Sequence, residues 1–124
     1  MIAVDSSTLI AFIQGESGSD VQLLDQSIAT NELALPAVVL TEVLSDPHLP
    51  KNHSILIRAL PTLDIDGDYW YRAAETRAKL LLRRLRARVA DTLIAQSCID
   101  HDVALITRDA DFRHFAKHCG LRLA

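Results

Sequence analysis

Four short stretches of the chain each set a carboxylate against an apolar run. They are Ile2-Ala3-Val4-Asp5-Ser6-Ser7, Val39-Leu40-Thr41-Glu42-Val43-Leu44, Val89-Ala90-Asp91-Thr92-Leu93-Ile94-Ala95 and Ala104-Leu105-Ile106-Thr107-Arg108-Asp109-Ala110-Asp111-Phe112. An acidic group beside a core is costly unless something positive compensates it. The four stretches are spread over the whole chain, so their acids meet only if the fold gathers them. Gathered carboxylates repel one another and favour capture of a hard divalent cation.

The apolar runs themselves are short and separated by segments with helical periodicity. Ile2-Ala3-Val4 stops at Asp5, the N-cap candidates Ser6, Ser7 and Thr8 follow, and Leu9, Ile10, Phe12 and Ile13 recur at helical spacing. That pattern predicts strand, tight turn, helix. After a break at Gly15 to Gly18, the stretch Asp20–Thr30 carries Val21, Leu24 and Ile28 on one face, an amphipathic helix. Leu33-Ala34-Leu35 before Pro36 predicts a second strand, and Val38–Leu44 a helix closed by Ser45-Asp46-Pro47. Further helices are predicted over Ile55–Leu60, Tyr69–Arg86, Ala90–Ile99 and Asp109–His118, the last ending at Gly120. Leu63-Asp64-Ile65 reads as an edge strand, Val103–Ile106 as a buried strand and Leu121-Arg122-Leu123 as a closing strand. Such alternation predicts one α/β domain over residues 1–124. Its three layers, α/β/α, enclose a mostly parallel sheet of about four to five short strands.

Composition agrees. The length suits one domain, and with 49% hydrophobic but only 5% aromatic residues the core must be built from Leu, Ile, Val and Ala. No apolar run approaches the ~20 residues of a membrane span. Met1–Ile13 has an early Asp and no basic flank, unlike a signal peptide. Cys98 and Cys119 make neither a disulfide framework nor a zinc pattern, so a reducing, cytoplasmic setting is expected. The net charge of −3 hides an asymmetry: residues 1–70 hold ten acids and two bases, residues 71–124 six acids and eleven bases. A basic half suits a polyanionic partner, although a solvated mixed surface accounts for the count equally well.

In open parallel sheets, ligands bind beyond the carboxyl ends of the strands. Asp5 ends the first strand and Asp109 follows the Ala104–Thr107 run, so both are expected at one sheet edge. Glu42 and Asp91 have apolar neighbours three or four positions away on their helices, which places each near a buried face. Each acid also has a plainer use: Asp109 as a helix cap, Asp91 as a first-turn charge, Glu42 as a solvated residue. Their joint order carries more weight than any one of them.

In that order the four stretches resemble the PIN-domain family, specifically the VapC-type toxins of bacterial toxin–antitoxin systems. Val4-Asp5-Ser6-Ser7-Thr8-Leu9-Ile10 is similar to the family's first motif, and Leu40-Thr41-Glu42-Val43-Leu44 to the second. Ala90-Asp91-Thr92-Leu93-Ile94-Ala95 is the sharpest match, and Thr107-Arg108-Asp109-Ala110-Asp111-Phe112 resembles the last motif. The run before Asp91, Arg83-Arg84-Leu85-Arg86-Ala87-Arg88-Val89, departs from the family in having no glycine. The long helix is therefore expected to run closer to Asp91.

The resemblance implies a metal-dependent endoribonuclease, with tRNA a common substrate, a homodimer, and a cognate VapB-like antitoxin that silences it. Phosphodiester hydrolysis needs an activated water and stabilised charge, which one or two Mg²⁺ or Mn²⁺ ions supply. Oxygen-only ligands select such ions over zinc. The expected acidic ring is Asp5, Glu42, Asp91 and Asp109, with Asp5 the foremost ligand and Asp111 replacing or assisting Asp109. Ser7 and Thr107 are expected to orient carboxylates or the scissile phosphate, or to serve as turn and cap residues. Arg84, Arg86, Arg88 and Arg108, with Arg83 and Arg113, are candidates for the RNA backbone, although Arg113 is also spaced to pair with Asp109. His114 and His118, four apart, read as surface residues near a helix end. Two rival readings are a phosphatase or phosphotransferase using Asp5, for which Ser7 stands where a second aspartate is wanted, and a binding module without catalysis.

Overall fold

Ala3 and Val4 have no exposed surface, which marks the first strand as the middle of the sheet. In the computed structural model, which describes residues 1–124, β1 (Ile2–Val4) runs straight into α1 (Ser6–Ile13) through Asp5 alone. α2 (Ser19–Ala29), β2 (Leu33–Pro36), α3 (Ala37–Leu44), α4 (Lys51–Ala59) and β3 (Thr62–Leu63) follow. The second half holds α5 (Tyr69–Leu82), α6 (Val89–His101), β4 (Ala104–Ile106), a 3₁₀ turn at Ala110–Phe112 and α7 (Arg113–Cys119). The four strands are all parallel in the order β3-β2-β1-β4, flanked by helices, as the alternation predicts.

The register is Ile2 against both Leu33 and Ala104, and Val4 against Ile106. β1 thus has β2 on one side and β4 on the other. In such a sheet the chain turns to opposite sides after the central strand, and a crevice opens at its carboxyl end. Leu24 of α2, Ile94 and Ala95 of α6, and Phe112 and Phe115 around the last helix fill the core. Truncating Leu24, Ile94, Phe112 or Phe115 to Ala is expected to cost about 2–5 kcal/mol.

Several boundaries differ from the sequence expectation, each for a local reason. The closing strand Leu121–Leu123 shrinks to a single bridge, Leu123 to Leu105, beyond β4. β3 ends at Leu63, and the Asp64 carbonyl pairs instead with the His101 ring at 2.6 Å. α4 starts earlier than expected, at Lys51 behind Pro50, since proline presets the backbone for a helix start. The stretch after Asp109 divides into the 3₁₀ turn and α7. Most consequential, α5 stops at Leu82 and does not continue toward Asp91. Arg84 adopts φ 58°, the left-handed conformation for which glycine is the usual choice, and turns the chain there.

Candidate metal centre

Asp5 is 2% exposed and links strand, helix and crevice. Its backbone N–H donates to the Ile106 carbonyl at 3.1 Å, extending the ladder one residue past β4. Its carboxylate caps α1 by accepting from the Thr8 N–H at 3.1 Å. The Ser7 hydroxyl donates to both carboxylate oxygens at 2.9 and 2.8 Å, and the Thr107 hydroxyl reaches Oδ2 at 2.5 Å. Burial pushes the Asp5 pKa up; these donors hold it down in part, and the Asp109 charge adds to the rise.

Thr107 carries the arrangement onward. Its hydroxyl oxygen accepts from the Asp109 N–H at 3.0 Å, and the Asp109 carboxylate accepts from the Asp111 N–H at 2.9 Å, capping the 3₁₀ turn. Asp109 is therefore a cap, as its position allows, and its remaining oxygen is free of that bond. Asp91 comes from the first turn of α6. One carboxylate oxygen from each of Asp91, Asp109 and Asp111 lies within 4.8 Å of the others. Burial lifts the Asp91 pKa to about 6; the Asp109 charge adds to this, Arg88 opposes it, and Glu42 and Asp111 add smaller repulsions.

The structure thus joins Asp91, Asp109 and Asp111 directly, sets Asp5 where it feels Asp109, and sets Glu42 where Asp91 feels it. Asp5 and Glu42 stand outside the tight trio. Glu42 is exposed and accepts the Ser6 hydroxyl at 2.6 Å. The donor set, carboxylate oxygens only and partly open to solvent, fits a hard divalent cation, whose charge would relieve the repulsion recorded in Asp91.

The arginines separate into two kinds. The Arg88 charge is felt by Asp91, and Arg86 Nε lies 3.6 Å from Asp111 Oδ2, so the α5–α6 loop brings cations to the edge of the acids. Arg84 sits at the bend in the same loop. Arg108, expected to face RNA, instead turns its guanidinium onto Asp20 at 2.8 and 3.0 Å and onto the Ser17 carbonyl at 3.2 Å, which leaves it poorly placed for that role. Arg113 forms no ion pair with Asp109. His118 is surrounded by Arg83, Lys117, His114 and Lys79, and burial together with these cations holds its pKa below the usual histidine value. Of this patch on α5 and α7 the sequence reading named Arg83 and missed Lys79 and Lys117, and it missed Asp20. Lysines at helix ends are the only sequence signal of the former, and nothing local signals the latter.

Against known proteins, the family model described as the PIN domain matches residues 2–118. Among solved structures, the chain is similar to one in the VapBC2 complex of Rickettsia felis bound to a DNA fragment from their promoter. That likeness has a TM-score of 0.77 at 23% identity, covering 100% of this chain and 98% of that one. It is also similar to a chain in FitAcB from Neisseria gonorrhoeae, with a TM-score of 0.70 at 16% identity and coverage of 99% and 96%. A comparison with curated proteins finds no match. With the match spanning all but the ends, and with the acids of its four motifs around one crevice, the chain belongs to the PIN-domain family.

Proposed function

We propose that this chain is a VapC-type toxin, a Mg²⁺- or Mn²⁺-dependent endoribonuclease. The observation that carries the reading is the meeting of Asp91, Asp109 and Asp111 within 4.8 Å at the end of the central strands, next to buried Asp5. Asp91, Asp109 and Asp111 would hold one or two ions, with Asp5 as a direct or bridging ligand and Glu42 on the rim. Bound there, the metal lowers the pKa of water and stabilises charge on the phosphate. Ser7 and Thr107 hold the Asp5 carboxylate in one orientation. Arg84, Arg86 and Arg88 line the approach for the RNA backbone, and Lys79, Arg83 and Lys117, gathered around His118, extend that basic surface along α5 and α7. Single-stranded or loop RNA, tRNA included, is the proposed substrate class, and with so few aromatic residues in the chain it would be held by its backbone rather than on an extensive base-stacking platform.

The relatives solved as VapBC2 and FitAcB support a VapB-like antitoxin as partner. A groove beside Glu42, lined by Ile10, Ile13, Val43 and Leu49 with His53 at its side, suits an amphipathic segment carrying a basic residue toward the acids. Pairing of two copies is part of the proposal. On α2 and α4, Leu24 and Ile57 are wholly buried in the core, and Ile55 is the large apolar residue left exposed there. The groove between α5 and α6, with Trp70 56% and Val89 57% exposed, suits the pairing better.

The test is cleavage of RNA by purified protein with Mg²⁺ or Mn²⁺, beside chelator and beside Asp5→Asn and Asp91→Asn. Metal-dependent cleavage lost in both folded variants is expected. Cleavage that survives chelation, or preferential hydrolysis of a small phosphomonoester, would overturn the reading.

A further inference from the structure

Arg108 sits between Thr107 and Asp109, yet its side chain leaves the crevice. Nε donates to Asp20 Oδ2 at 2.8 Å and Nη2 to Asp20 Oδ1 at 3.0 Å, a two-pronged pair of the kind that fixes orientation as well as charge. Asp20 Oδ2 also accepts the Thr8 hydroxyl at 2.9 Å. Thr8 in turn donates its N–H to Asp5 Oδ1, and Thr107, next to Arg108 in the chain, donates to Asp5 Oδ2. The contacts close into a ring: Asp5, Thr8, Asp20, Arg108, Thr107 and Asp5 again. Three distant segments meet in it, namely the β1–α1 junction, the start of α2 and the loop after β4.

Residue 18 shows how closely the ring is fitted. Gly18 has φ +151°. A Cβ there would lie 2.5 Å from Asp20 Oδ1 and 3.0 Å from Arg108 Nη2. Both the backbone angle and the space for the ion pair therefore need a residue without a side chain.

We propose that the Asp20–Arg108 pair is a positioning device for the metal centre. It pins the α1–α2 turn to the loop after β4, which keeps Thr107 on Asp5 and fixes where Asp109 stands relative to Asp5. Asp20 and Arg108 touch neither ion nor RNA; they act through Thr8 and Thr107. The proposal rests on reading the acids as a metal centre. A pair that merely stabilised the fold would change the melting temperature and leave the folded protein's metal affinity alone.

The experiment titrates Mn²⁺ into the full chain by calorimetry, with circular dichroism confirming that each variant is folded. Asp20→Asn and Arg108→Gln are each expected to weaken Mn²⁺ binding about tenfold, the lower range for supporting residues around a metal. The double variant is expected to lose no more than either single one, since the two act as a unit. Gly18→Ala, which keeps both charges, is expected to weaken binding in the same direction, and Arg108→Lys to retain part of it. Folded variants that bind Mn²⁺ as tightly as wild type, or losses that simply add, would overturn the positioning role while leaving the centre intact. Arg108→Lys keeps the test open where Gly18→Ala fails to fold. Wild-type protein that binds no Mn²⁺ would overturn the metal reading and this proposal together.

Discussion

Asp91 carries the clearest electrostatic signature in the molecule. Its pKa in the metal-free fold, about 6, lies above the ordinary carboxylate value of 3.8, so folding without metal costs free energy wherever Asp91 is ionised. The cost is present above about pH 6 and absent below about pH 4. Asp91→Asn is therefore expected to melt higher than wild type at pH 7.5 in chelator, with the difference vanishing near pH 4 in a thermal scan. Added Mn²⁺ should raise the wild-type midpoint and leave that of the variant nearly unmoved. Thr107 tests the other half of the site. Thr107→Val removes the shortest donor to Asp5 and the acceptor of the Asp109 N–H, and a 10- to 100-fold loss of RNA cleavage is expected in a kinetic assay. Asp5 and Thr107 were legible as candidates in the sequence because each follows an apolar run that ends at the edge of the sheet, and Asp91 because it adjoins the apolar positions of a helix. Asp20 was not, since its partner lies 88 residues away and only the folded chain brings the two together.

At the level of elements, sequence periodicity located every α-helix and the four strands along the chain, while ends were set by interactions that periodicity does not record. The α5–α6 connection shows this best. Arg84 occupies a left-handed conformation that costs a non-glycine residue roughly 1–3 kcal/mol. A sequence rich in arginine and without glycine gave no sign that the helix breaks there. Arg84→Val, with a branched side chain in that conformation, is expected to lose about 1 kcal/mol or more of stability relative to Arg84→Gly in denaturant unfolding. Both variants remove the same charge, so they should weaken RNA binding equally. A stability gap without an affinity gap would separate the bend from the charge. The closing strand failed for a different reason: the segment meets β4 at Leu105 alone, whose N–H and carbonyl bond Arg122 and Ala124, and one bridge is too little to hold three residues extended.

Across the whole molecule, the charge asymmetry seen in the sequence acquires a shape. Acids collect at the carboxyl ends of β1 and β4 with Arg86 and Arg88 of the α5–α6 loop at their edge, while Lys79, Arg83 and Lys117 gather around His118 at the ends of α5 and α7. In an Asp5→Asn background that binds RNA without cutting it, Lys79→Gln with Lys117→Gln is expected to flatten the salt dependence of RNA affinity. Each contacting charge removed should lower the log–log slope by about 0.7, read by fluorescence anisotropy between low and moderate salt. An unchanged slope would remove α5 and α7 from the RNA path. The apolar groove between α5 and α6 makes a separate prediction. The proposed pairing of two copies through this groove predicts a two-chain mass for the wild type in light scattering and a single-chain mass for Trp70→Ala with Leu81→Asp.

Because Asp5 follows β1 and precedes α1 with nothing between, one side chain both starts a helix and faces the crevice. Alanine scanning at this position would confuse two losses, since an uncapped α1 weakens the protein by about 1 kcal/mol before any chemistry is considered. Asparagine still caps a helix, so it is the proper control for inactivity here, and any selection acting on this residue would feel folding and the chemistry of the crevice at once.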